Sequence, residues 1–94
     1  MPTLLIRFQV NDFETWKREF FDEKETRRAN GSQAEFFFRN AANPGDIWIL
    51  LEWDDLFRAQ LFVKSDDLIE AMIRAGVADQ PDFWFLEGNH HVSF

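Results

Sequence analysis

The chain has 94 residues, with seventeen Asp or Glu against ten Lys or Arg, a formal charge of −7, two His and no Cys. That length bounds it to one domain, expected over residues 1–87 with a short tail at 88–94. The acidic balance argues against nucleic acid and anionic membrane surfaces as partners, since both need a basic stripe. Without cysteine there is no disulfide, thiolate nucleophile or thiolate metal site, which is compatible with a reducing cytoplasm, the expected location. The amino-terminal MPTLLIRFQV lacks a basic leader and carries Arg7 in its apolar run, so it reads neither as a signal peptide nor as a membrane span. Four Trp and twelve Phe are more aromatic surface than one small core hides. A second copy of the chain is the expected cover.

Taken in order, residues 3–10 alternate, with Leu4, Ile6, Phe8 and Val10 on one face and Leu5, Arg7 and Gln9 on the other, the period of a strand. Asn11 is the expected cap of a helix, with Glu14 placed to close a capping box. Phe13, Trp16, Phe20 and Arg27 form its stripe, and Gly31 stops it. The Lys, Glu and Arg residues of this helix read as a solvated face. Residues 33–39 make a second strand, with Phe36 and Phe38 opposed to Phe37 and Arg39. Asn40 to Asp46 contains Asn-Pro-Gly and reads as a hairpin loop.

The third strand, Ile47 to Asp54, is apolar on both faces: Ile47, Ile49, Leu51 and Trp53 on one, Trp48 and Leu50 with Glu52 on the other. Asp54 and Asp55 cap a two-part helix, Ser65 recaps it, and Leu68, Ile69 and Met72 supply its apolar stripe. Gly76 ends that helix and Pro81 leads into a fourth strand, Asp82 to Glu87. Strand, helix, strand, strand, helix, strand, with a short middle hairpin, predicts an α+β, ferredoxin-like fold. Its four-stranded antiparallel sheet carries the helices on one face. A strand with no polar face needs cover on both sides, so a homodimer through the open sheet face is expected.

The chain resembles the dimeric α+β barrel superfamily, and within it small bacterial proteins labelled cyclase-like or antibiotic-biosynthesis-monooxygenase-like. The residues that carry the resemblance are Val10, Asp12, Phe13, Trp16, Lys17, Asp22, Gly31, Phe38, Arg39, Asn43, Pro44, Leu51-Glu52-Trp53-Asp54, Ala59, Phe62, Ser65, Ala71-Met72, Ala75-Gly76-Val77, Pro81 and Phe85-Leu86-Glu87. It implies a dimer whose sheets pack face to face, and in each subunit a cavity between sheet and helices where a small molecule sits. Haem-degrading members use an Asn, a Trp and a His on the second helix. Asn11 and Trp53 match two of these, but Leu56 to Ala75 contains no His.

The polar residues set into strands are the candidates for such a site: Arg7, Gln9, Arg39 and Glu52, with Trp48 as a stacking surface or a core residue. Arg7 and Glu52 share parity on strands expected to be neighbours, and Arg39 and Gln9 are expected on one face. They read either as a cluster that orients an anionic or carbonyl-bearing ligand or as a structural ion pair at the dimer interface. His90 and His91 are the only imidazoles, and adjacent residues of an extended tail point opposite ways. No cofactor and no metal are expected. Two functions follow. One is a homodimer that binds a small, mostly apolar or aromatic molecule. The other is a cofactor-independent monooxygenase or cyclase on an aromatic or polyketide-like substrate.

Overall fold

The alternation in the first strand is realised on both of its sides. In the computed structural model, which describes residues 1–88 and 90–94, β1 (Thr3–Gln9) lies between two partners. The elements that follow are α1 (Phe13–Asp22), α2 (Lys24–Asn30), β2 (Ser32–Asn40), β3 (Asn43–Trp53), α3 (Leu56–Val63), α4 (Asp66–Arg74) and β4 (Asp82–Leu86). The sheet order is β2-β3-β1-β4 and every pairing is antiparallel. This is the ferredoxin-like arrangement, with each helical connection broken into two segments.

Register sorts the side chains. Leu4 faces Leu51, Ile6 faces Ile49 and Phe8 faces Ile47 across β1 and β3, and all six are buried. Trp16 of α1 sits on this layer, stacked on Phe20 at 5.1 Å and edge-on to Phe37 at 5.2 Å. Trp53 is fully buried and packs on Phe62 of α3 at 4.8 Å. Each such side chain contributes about 1.5–3 kcal/mol by leaving water. Val10, one residue past β1, bridges to Val77 beyond α4, so the end of the first strand also anchors the second helical unit.

Several local details differ from the sequence expectations. Asp12, not Asn11, caps α1: its carboxylate accepts from the Thr15 backbone N–H at 2.9 Å and from Thr15 Oγ1 at 2.7 Å. The hydroxyl and amide of Thr15 hold that carboxyl below its ordinary pKa. Asn11 is engaged elsewhere, its N–H donating to the Gly76 carbonyl at 3.0 Å. The first helix breaks at Glu23, whose φ of −92° and ψ of 4° leave the helical basin. The expected loop Asn40–Asp46 shrinks to Ala41-Ala42. Asn40 Oδ1 takes the Ala42 N–H, and β3 already begins at Asn43, with a register shift at Arg39/Asn40. Ile69 leaves the apolar stripe and is 52% exposed. Leu68 and Met72 face inward, and position 69 lies about 100° round the helix from 68.

Gly31 is needed where it stands. Its φ is +130°, and an added Cβ would lie 2.5 Å from Asp54 Oδ1 and 2.8 Å from Trp53 Nε1. A side chain there would collide with the β3–α3 junction as well as strain the backbone.

Candidate functional site

Between the sheet and the helices lies a cavity. Its floor is Ile6, Phe8, Ile49 and Leu51, and Trp16, Phe20 and Phe62 form aromatic walls. Leu68, Ala71, Met72 and Ala75 close it from the α4 side. The space open to the centre of a water-sized sphere is about 50 Å³, room for a few waters. A ring-sized ligand therefore requires a side chain to move, and the unbranched Met72 moves most readily.

Among the described residues three charged side chains touch this cavity, and each is engaged. Arg27 is 6% exposed. Its Nε and Nη2 donate to the two Glu35 oxygens at 2.7 and 2.8 Å, and its guanidinium lies 3.9 Å over the Phe20 ring. Ser32 Oγ donates to the same carboxylate at 2.8 Å. This fork geometry is the favourable way to bury an arginine, and it corrects the reading of Arg27 as part of a solvated face. Glu19 and Glu23 both receive Arg74, at 2.9 and 3.0 Å, which joins α1 and the α1–α2 junction to α4. The hydrogen bond from Arg74 to Glu19 raises the arginine's pKa further above its ordinary value.

The residues singled out in the sequence lie elsewhere. Arg7, Gln9, Trp48 and Glu52 project from the sheet face opposite the helices, and none lines the cavity. Arg7 stands opposite Trp48, and Glu52 opposite Thr3. Arg7 Nε donates to Asp46 Oδ1 at 2.8 Å, its Nη1 is 3.9 Å from Asp82, and its guanidinium is 5.9 Å from the Trp48 ring centre. Burial opposes a charge on Asp46, yet hydrogen bonds from Asn40, Arg7 and Trp48 outweigh it and hold this carboxyl below its ordinary pKa. Gln9 Oε1 accepts from Asn43 Nδ2 at 3.4 Å, and its backbone N–H donates to Asp79 at 2.7 Å.

Arg39 is on the helix side, 3.9 Å over the Phe13 ring and donating to the Pro44 carbonyl. His90 and His91 are exposed. Among the described residues no cluster of three or more His, Cys, Asp or Glu is placed to hold a metal ion, and no helix is long and apolar enough to cross a membrane.

Sequence reasoning missed Arg27, Glu35 and the Arg74 clasp. One signal was available: Arg27 falls on the same stripe as Phe13, Trp16 and Phe20, and a cation on an apolar stripe needs a buried partner.

The open sheet face has its own character. Phe36, Phe38, Trp84 and Leu86 are 51%, 53%, 41% and 43% exposed, around half-buried Leu5, Trp48 and Leu50. Trp48 and Trp84 stack across β1 at 6.1 Å with planes 7° apart.

Neither a protein-family model nor a curated protein sequence matches the chain. Solved structures do match in fold. One is SnoaB, a cofactor-independent oxygenase from Streptomyces nogalater, at TM-score 0.76 and 10% identity, over 97% of this chain and 95% of that one. An antibiotic biosynthesis monooxygenase aligns at TM-score 0.68 and 14% identity, over 94% and 98% of the two chains. Rv0793 from Mycobacterium tuberculosis aligns at 0.69 and 12%, over 99% and 100%. The chain thus has the α+β fold of the antibiotic-biosynthesis-monooxygenase-like proteins, in agreement with the resemblance read from its residues.

Proposed function

We propose that this chain is a small-molecule-binding protein that works as a homodimer, each subunit holding a small, mostly apolar or aromatic molecule between sheet and helices. The observation that carries this is the lining of the cavity. Its walls are aromatic and aliphatic, and each charged group that reaches it, Glu19, Glu23 and Arg27, is already in an ion pair. Such a lining favours apolar contact and leaves those charges committed to structure. The dimer is supported by the exposed apolar sheet face, where Phe36, Phe38, Trp84 and Leu86 stand uncovered together. A reducing cytoplasm is the setting assumed, and the chain has no cysteine to oppose it.

The test is direct. Sedimentation velocity should return a dimer, and the uncharged dye N-phenyl-1-naphthylamine should bind with a fluorescence rise. Ala71→Leu, which puts a larger side chain into the cavity, should weaken that binding at least tenfold with an unchanged circular dichroism spectrum. Dye affinity indifferent to Ala71→Leu would reject the cavity as the site.

The second reading, a cofactor-independent monooxygenase or cyclase on an aromatic or polyketide-like substrate, draws support from the fold shared with the Streptomyces oxygenase. Arg7, Arg39 and the tail His, expected from the sequence to steady an enolate or take a proton in that reading, are not among the residues that line the cavity, which weighs against it. Oxygen uptake dependent on an added polycyclic phenol, and lost in Ala71→Leu, would favour it. Uptake that ignores the variant would count against it.

A further inference from the structure

On its outer side, away from the cavity, α4 borders a second space. This groove opens on about 320 Å³ by the same measure and is lined by Val63, Ile69, Ile73, Pro81 and Phe83 with Asp79 and Gln80. Leu68, Met72 and Val77 line both the groove and the cavity. The wall between the two is therefore one side chain thick, and Met72 is its most flexible member.

The attachments of α4 are lopsided. No residue of α4 is buried, whereas α1 buries Trp16 and α3 buries Ala59 and Phe62. On the α1 side Arg74 is clasped by Glu19 and Glu23. Beyond its end, Gly76 and Ala78 are tied to the β1 end by the bonds Asn11 N–H to Gly76 O and Ala78 N–H to Gln9 O. The edge that faces β4 is where the groove opens.

Resting on the cavity reading above, we propose that Met72 is the gate of the site. The ligand is an elongated, uncharged aromatic molecule that reaches the cavity from the groove between α4 and β4, leaving part of its length in the groove. Charge sets the class. Among the described residues Asp79 is the one charged side chain of the groove, and Glu19, Glu23 and Arg27, each ion-paired, reach the cavity. A chain with a net charge of −7 adds to that field. An anionic ligand is repelled at Asp79, and the cation that reaches the cavity, Arg27, is already committed to Glu35. The apolar contacts of Pro81, Phe83 and Ile69 suit a second ring outside the gate.

Stopped-flow fluorescence with N-phenyl-1-naphthylamine tests the gate. Met72→Ala should raise both the association and the dissociation rate at least fivefold, with a smaller change in affinity. Met72→Leu, branched and stiffer at nearly the same volume, should lower both rates at least threefold, and it keeps the test alive if the alanine variant folds poorly. The sulfonated analogue 1-anilinonaphthalene-8-sulfonate should bind at least tenfold more weakly than the neutral dye. Failure of the two readings separates cleanly. A neutral dye that does not bind, or binds without regard to Ala71→Leu, removes the cavity reading and the gate with it. A dye that respects Ala71→Leu but shows the same rates in both Met72 variants overturns the gate alone. Equal affinity for the sulfonate overturns the charge class.

Discussion

The two faces of the sheet are built from the same strands and meet opposite fates. On the helix side, Leu4, Ile6, Ile47, Leu51 and Trp53 are dry and covered by their own chain. On the other side Phe36, Phe38, Trp84 and Leu86 are comparably apolar yet stand in water in the single chain. That second face also carries a polar end, where Arg7, Asp46, Asn40 and Trp48 satisfy one another. The contrast separates what holds the chain together from what it leaves uncovered. Stability resides in the first face, and the proposed association would use the second.

The sharpest way to break this comparison is to make the same change on each face. Trp53→Ala should lower the urea-unfolding stability by about 3–5 kcal/mol. Trp84→Ala, measured at protein concentrations too low for association, should cost under about 1 kcal/mol. Equal losses would mean that the open face is part of the subunit's own core. Leu50→Asp should weaken self-association at least a hundredfold by sedimentation while the far-ultraviolet spectrum of the subunit is retained. A dimer that survives it would relocate the interface.

Smaller effects sharpen the picture. Gly31→Ala should cost about 1–3 kcal/mol, from a strained backbone and the collision with Asp54 and Trp53. On the open face, acid should act through Asp46. Its folded pKa is depressed, so its contribution is present above the ordinary carboxylate value near 4 and is lost as pH falls through the lower folded value. Asp46→Asn should therefore flatten part of the stability loss below about pH 4, read from urea midpoints across the acid limb. An unchanged acid limb would show that other carboxylates govern it.

The strands and their parity were legible because a period of two is written directly in the residues, and the doubly apolar Ile47–Trp53 run marks the central strand. The sheet order follows from that and from short connections. The caps were harder, since Asn11 and Asp12 are both good caps by type. The helix begins at Phe13, so Asp12, in an extended conformation, holds the cap position and Asn11 lies one residue outside it. Arg7 and Glu52 were read with the right shared parity, but Arg39, expected on the face of Gln9, lies on the helix side, and the cavity was tied to polar residues in strands. In the structure its polar edge comes from helices, through Arg27, Glu19 and Glu23. Those look like any surface charges until Glu35, from the next strand, and Arg74, from far along the chain, are seen to meet them.

The central position of β1 has a consequence for how the molecule assembles. Its two neighbours are Asp46–Glu52 on one edge and Asp82–Leu86 on the other, whereas β2 and β3 are joined by a two-residue turn and can pair early. Long-range pairings of this kind close late, because the intervening chain must first be ordered. A growing chain would therefore carry β1 with both edges unpaired until β3 and then β4 have been made. That interval, rather than the finished fold, is when Leu4, Ile6 and Phe8 are most open to aggregation.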